Sequence, residues 1–394
     1  MRDELEAIWR AGVAACLPER ALARQLPEPP RGRTIVLALG KAAAGMARLV
    51  EAEWRGPLTG LAVGRAGDEA GLRRIAFLAG AHPVPDARSV AAAERLLALA
   101  AEAGPDDLVL VLLSGGASAL ACAPGAGITL AQKQALTRAL LRSGAPIGEV
   151  NVVRRHLSRI KGGRLARAAA PARLVTLAIS DVVGDRPEDI GSGPTAPDPT
   201  SIADAVAILG RHGIAAPEVG WSESVKAVDG TYRIVAGGRT ALEAAAAKAR
   251  TLGYDPVTLE CEGEARDVAR DHAARILSAA PGTALISGGE LTVTVRGDGT
   301  GGPNQEYALA AALALAGRQD ICGLAADSDG IDGSGGAAGA FFDAGSAARS
   351  PLPGEAALAA NDSHGFFAAL GDLFIPGPTG TNVNDLRILL RRRG

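Results

Sequence analysis

The chain has few aromatic side chains, 3% of its 394 residues, so it offers no platform on which single-stranded nucleic acid could stack. It also lacks an excess of one charge. A formal net charge of −2 is unlike the strongly basic character usual in nucleic-acid-binding domains. Its four cysteines, Cys16, Cys122, Cys261 and Cys322, lie far apart and form no paired spacing of the zinc type, so reduced thiols are expected. No apolar run approaches the ~20 residues of a membrane-spanning helix. The opening MRDELEAIWR has acidic residues early and no sustained apolar core, unlike a secretory signal. A cytoplasmic protein with no membrane or nucleic-acid partner is expected.

Hydrophobic residues make up 47% and charged residues 21%, the balance of a globular enzyme. A guide of ~150 residues per domain gives two or three domains, and two is our reading. Residues 3–26 read as an amphipathic helix ended by the proline-rich PEPPRGR. Strand and helix patterns then alternate to about residue 215, with alanine-rich crossover helices at 90–103 and 130–141. The polar, turn-rich WSESVKAVDGTYR after Gly220 marks a boundary, giving domains 1–225 and 226–394. Beyond it, ALISGGELTVTV reads as a hairpin turning on Gly288 and Gly289. The fold class is therefore α/β, with a mostly parallel sheet first and a mixed sheet second.

Four apolar strands run into loops of small or ionic residues. Thr34 to Leu39 lead to GKAAAG, with Lys41 after Gly40; Leu108 to Leu113 lead to SGGAS, Ser114 to Ser118. Leu174 to Ile179 lead to Asp181 and Asp185, and Ile321 to Ala326 lead to Asp327, Asp329 and Asp332. In open α/β sheets, ligands bind at the carboxyl ends of strands, where glycine-rich turns let backbone N–H groups approach an anion. Turn capping alone would also use such residues. The GKAAAG segment is not a Walker A loop, because Ile35 and Ala42 replace its first glycine and its Ser/Thr. A cation at Lys41, opening a helix, is offset if an anion binds there.

Between Asn151 and Ala166, Arg154, Arg155, His156, Arg159, Lys161 and Arg164 are dense enough for a phosphate-facing surface, although solvated cations at a helix end are the commoner case. Asp327, Asp329 and Asp332, with Asp181, Asp185 and Glu290, supply hard oxygen donors for magnesium held together with substrate phosphates. Gly297, Gly299 and Gly302 match the dinucleotide G-x-G-x-x-G pattern, but the strand before them alternates polar and apolar, unlike the buried first strand of such a site. GPTGTNVNDLRILL places Thr379, Thr381, Asn382, Asn384 and Asp385 before an expected terminal helix.

These segments resemble the class II glycerate 2-kinases, whose C-terminal half is called the MOFRL domain. The resemblance rests on HPVPDARS from His82, LLSGGASAL from Leu112, NVVRRHLSRIKGGRLA from Asn151 and ISDVVGDRPEDIGSGPT from Ile179. It continues in GDGTGGPNQE from Gly297, DSDGIDG from Asp327 and GPTGTNVNDL from Gly377, and so covers nearly the whole chain. It implies a Rossmann-like N-terminal domain, a MOFRL-like C-terminal α/β domain and an active site in the cleft between them. The implied reaction is phosphorylation of D-glycerate at its 2-hydroxyl by ATP with Mg2+, giving 2-phosphoglycerate. Lys41 and Asp181 become the catalytic candidates. Ser114, Gly115, Gly116, Ala117, Ser118, Arg155, Asn304 and Asp329 are the binding candidates, and Asp181, Asp185 and Asp327 the metal ligands.

The chain departs from the family at Pro303, where many relatives carry arginine, and Arg155 or Arg239 is the candidate replacement. Small-molecule partners are expected, and a homodimer is left open. Two rival readings stand beside the kinase: an NAD(P)-dependent hydroxypyruvate or tartrate reductase, and a catalytically silent sugar-acid sensor on the same fold.

Overall fold

A computed structural model describes residues 1–69 and 71–393. The chain forms two compact units: Ala21–Ser180 with Gly184–Val235, and Met1–Arg20 with Asp181–Val183 and the chain from Ala236 onward.

The first unit is built on a six-stranded sheet of β1 (Thr34–Leu39), β2 (Leu58–Gly64), β3 (Ile75–Ala79), β4 (Leu108–Leu113), β5 (Arg173–Ile179) and β6 (Thr231–Ala236), in the order β3-β2-β1-β4-β5-β6. Strands β1 to β5 run parallel. Every residue of β1 and β4 is buried, which explains their unbroken apolar sequences TIVLAL and LVLVLL. Side-chain caps start the expected crossover helices. Asp86 accepts from the N–H groups of Arg88 and Ser89 at the helix Ala87–Ala101, and Thr129 accepts from Gln132 at Leu130–Arg142. The strand order reverses between β1 and β4, the kind of switch point at whose carboxyl ends open α/β sheets bind ligands. Because β6 belongs to this sheet, residues 231–235 lie in the first unit, not beyond a 225/226 boundary.

The second unit carries a mixed sheet of β7 (Asp255–Glu260), β9 (Thr283–Gly288), β11 (Ile321–Asp327), β12 (Gly339–Asp343), β13 (Leu373–Phe374) and β14 (Asp385–Arg391), ordered β13-β12-β11-β14-β9-β7. The short β8 (Gly263–Glu264) and β10 (Leu291–Thr292) pair separately. Two expectations are corrected here. Residues 385–391 form β14, antiparallel to both β9 and β11, instead of a terminal helix. No hairpin forms at Gly288–Gly289: β9 pairs with β14 and β7, and β10 pairs with β8. Buried Arg387 holds the segment open by donating to the carbonyls of Gly288 at 2.7 Å and Gly289 at 2.8 Å.

The N-terminal helix is Arg2–Ala15, shorter than expected because Pro18 disfavours helix just before it. It belongs to the second unit. Leu5, Ile8, Trp9, Gly12 and Val13 form its buried stripe, and Trp9 packs edge-on to Phe374 with ring centroids 4.9 Å apart. Gly12 permits this approach, since a Cβ there would lie 2.7 Å from Leu386 Cδ1 and 3.0 Å from the Ala241 carbonyl oxygen.

Candidate active site

At the carboxyl ends of β1 and β4 the two loops interlock. The Lys41 N–H donates to the Gly115 carbonyl at 2.8 Å, and the Ala42 N–H donates to Ser114 Oγ at 3.0 Å. Ser114 Oγ in turn donates to the Leu39 carbonyl at 3.4 Å, so this buried hydroxyl is a strut between strands and not a ligand contact. Gly116 has φ +80°, and a Cβ on it would lie 3.2 Å from both Lys41 Cγ and His82 Cδ2. The aliphatic stem of Lys41 therefore runs over Gly116 beside the ring of His82. Gly115, Gly116 and Ala117 lie at this loop, as the strand-to-loop pattern led one to expect.

The structure separates the basic segment into different roles. Arg155 is buried between two carboxylates, with Nη1 3.1 Å from Asp189 Oδ1 and Nε 3.0 Å from Asp198 Oδ2. Its charge is already compensated, which removes it as a ligand-binding candidate and as a substitute for the cation absent at Pro303. Arg239, the other candidate, is exposed on the helix Gly238–Thr251. Arg159 pairs with Glu94 at the surface, and Arg164 donates to the carbonyls of Arg155, Lys161 and Ser222.

Arg154 and Lys161, with Lys133, line a cavity of about 380 Å³ whose wall also includes Gly116, Ser118 and His82. Lys161 Nζ donates to the carbonyl and the Oγ of Ser118, both at 2.8 Å, and Ser118 Oγ meets Ser192 Oγ at 2.9 Å. Lys133 was not singled out from the sequence. The signal was its place in the stripe Lys133, Leu136, Leu140 of an amphipathic helix, where a cation is costly unless something uses it.

Burial pushes Lys161 down to about 7 and Lys133 down to about 8, with Arg154 adding like charge to both, partly opposed by Cys122. Between these values and the ordinary 10.5, the unfolded chain binds more protons than the folded one, so stability rises with pH across that range. The expected result is that Lys161→Met flattens the pH dependence of unfolding free energy between about pH 7 and pH 10, measured by urea denaturation of the ligand-free protein. An unchanged slope would show that Lys161 titrates normally.

In the second unit, Asp332 gathers four N–H groups. Its Oδ1 accepts from the backbone and Nδ2 of Asn304 at 3.1 and 3.3 Å, and its Oδ2 from the backbone and Nε2 of Gln305 at 2.9 and 3.1 Å. Burial and the neighbouring Asp385 nevertheless push its carboxyl up to about 7. Asn304 Nδ2 also donates to Asp385 Oδ1 at 2.6 Å, while Asn304 Oδ1 is buried with no hydrogen-bond partner among the described residues. That orphaned acceptor fits a ligand hydroxyl. Asp181, which follows β5 but belongs to this unit, accepts from Asn382 Nδ2 at 3.4 Å.

Asp327 Oδ1 accepts the Asp329 N–H at 2.8 Å, and Asp329 Oδ1 accepts the Ile331 N–H at 2.9 Å. Among the described residues, no three His, Cys, Asp or Glu side chains are grouped to hold a metal ion. Asp181, Asp185 and Asp327 are therefore not a ready-made cage. A donor set of this kind suits a magnesium ion bound through one or two carboxylates, with phosphate oxygens and water completing its shell.

Gly297, Gly299 and Gly302 are packed against the chain itself. A Cβ at the first two would lie 2.4 and 2.6 Å from the Ala360 carbonyl oxygen, and at Gly302 2.5 Å from the Asp332 carboxyl. Their smallness serves internal contact, and the strand before them, the two-residue β10, pairs with β8 outside both six-stranded sheets.

The class this defines is an α/β protein with interlocked glycine-rich loops at the switch point of a parallel sheet and a lysine laid across them. The model of a domain of unknown function, DUF4147, matches residues 4–228, and that of the MOFRL family matches residues 283–385. The D-glycerate 2-kinase of Thermotoga maritima is 37% identical over 97% of this chain and 96% of its own length. A crystal structure of glycerate kinase from Thermotoga maritima superposes with a TM-score of 0.87 at 37% identity, covering 98% of this chain and 97% of that one. A protein of Agrobacterium vitis, provisionally named a hydroxypyruvate reductase, is 48% identical over 99% of this chain and 94% of its own. The chain belongs to the MOFRL-type glycerate kinase family.

Proposed function

We propose that the protein is an ATP-dependent D-glycerate 2-kinase, producing 2-phosphoglycerate and ADP. The observation that carries this reading is the β1/β4 switch point, where Lys41 lies over Gly116 and the two loops are tied by the Lys41 and Ala42 N–H groups. Phosphoryl transfer depends chiefly on positioning and on cancelling charge at the transferring oxygens. Lys41 is assigned to that charge. Asp181, oriented by Asn382, is assigned to hold or accept the proton of the 2-hydroxyl. Asn304 Oδ1 and the carboxylate of Asp329 are assigned to accept hydrogen bonds from the hydroxyl groups of glycerate. Asp181, Asp185 and Asp327 supply the carboxylates from which a magnesium ion would take one or two, and such an ion, when bound, would neutralise nucleotide phosphates. No helix among the described residues is long and apolar enough to cross a membrane, and a cytoplasmic address is proposed with the activity.

The second reading, a reductase, is favoured by the name of the Agrobacterium vitis relative. The self-packed glycines at 297–302 argue against a dinucleotide there. One pair of assays separates these readings. ADP release from ATP that depends on D-glycerate, with 2-phosphoglycerate formed, is the expected result. Oxidation of NADH by hydroxypyruvate without ADP release would replace the kinase by the reductase, and silence in both would favour the sensor.

A further inference from the structure

Resting on the kinase reading, we propose that the 380 Å³ cavity of the first unit is the nucleotide site: Lys133, Arg154 and Lys161 hold the polyphosphate, and the apolar rim at Val84 and Leu141 covers the base. Two of these cations are almost wholly enclosed, Lys133 at 5% and Lys161 at 2% exposure. Among the described residues none of the three forms an ion pair within 4.0 Å. Their partners are neutral: Lys161 donates to Ser118, Lys133 to the carbonyls of Leu157 and Arg154, and Arg154 to Asn151 Oδ1. Burial has already pushed both lysines toward their neutral forms, and an anion in the cavity favours the charged forms, so three clustered basic side chains facing a cavity without an acid are a site awaiting an anion.

The number of charges selects which anion. A single carboxylate offsets one of the three, whereas a nucleotide polyphosphate matches them all. The rim supports the same choice. Val84 and Leu141 are 56% and 52% exposed, and such side chains at a cavity mouth offer the flat apolar contact that a purine face takes up. The cavity also shares Gly116 with the Lys41 loop, so a polyphosphate lying in it runs toward the group assigned to the transferring phosphate.

The test is calorimetric titration of the full chain with ADP, without glycerate, beside glycerate turnover. Lys133→Met and Lys161→Met are each expected to weaken ADP binding about tenfold or more, because each removes a charge-assisted contact to phosphate. Leu141→Glu, an exposed change compatible with folding, is expected to weaken it about fivefold by repulsion at the mouth, and it decides the matter if a lysine variant does not fold. Arg393→Met, a surface change, serves as control and should bind as the parent does. If the parent turns over glycerate but every variant binds ADP within twofold of it, the cavity is not the nucleotide site, while the kinase reading stands. A rise in KM for glycerate with unchanged ADP affinity would assign the cavity to the acid's carboxylate and overturn the proposal. Failure of the parent to bind ADP or to phosphorylate glycerate would remove the kinase reading and the proposal together.

Discussion

Lys41→Ala is expected to lower kcat about 10³-fold, or ~4 kcal/mol in the activation barrier, while leaving the fold intact. Lys41 lies in the turn before the helix Ala43–Glu53, partly exposed, and its backbone N–H bond to Gly115 does not depend on the side chain. Truncation therefore removes the ammonium group and the stem over Gly116 but none of the ties that join the two loops. An electrophilic group matched to charge developing on the transferring phosphate acts mainly in the transition state, so the loss should fall on kcat more than on KM for ATP. Lys41→Arg should recover only part of the rate, because a planar guanidinium fork cannot place its charge where a compact ammonium does. The measurement is single-turnover phosphorylation of D-glycerate, with thermal unfolding to show that the variant is folded. Turnover within threefold of the parent would withdraw Lys41 from the chemistry.

Asp181→Asn should lower kcat about 10²- to 10⁴-fold with ADP affinity retained. The change is nearly isosteric, and an amide oxygen at this position can still accept from Asn382 Nδ2, so the orientation of the side chain survives. What is lost is the negative charge and the ability to take a proton from the substrate hydroxyl. The effect on kcat alone separates this role from a purely packing one, in which affinity and stability would fall together. A decrease of less than threefold would end the assignment.

Much of the candidate site was legible because the relevant signals are local. A continuous apolar run such as Leu108 to Leu113 states that a strand is buried on both faces, and the glycines and hydroxyls that follow state that its end is exposed to something polar. β1, β4, β5 and β11 all appear where those runs were read. The readings that failed depended on partners distant in sequence. In the sequence Arg155 reads as a phosphate-facing cation, but Asp198, forty-three residues later, folds against it and takes up its charge. Lys133 looked like an ordinary polar residue in a helix until the fold placed Arg154 and Lys161 on the same cavity.

The short segment Asp385–Arg391 shows the same division at the level of secondary structure. Seven mostly apolar residues fit a helix turn or a strand equally well, and the choice was made by β9 and β11, which offer open ladders on either side. Gly288 and Gly289 could have turned a hairpin, yet the guanidinium of Arg387 bonds both carbonyls from across the sheet.

By itself, then, the sequence determined the α/β class, the strands that end in glycine-rich or acidic loops, and the residue types gathered there, since periodicity and side-chain chemistry are properties of neighbouring residues. Tertiary structure decided the strand order that sets β1 beside β4, the docking of the helix Arg2–Ala15 onto the unit that begins again at Ala236, and which cations are neutralised internally and which are left facing a cavity. Each of these is a pairing across tens to hundreds of residues. Its free energy comes from burial and charge compensation that exist only once the distant partner has arrived.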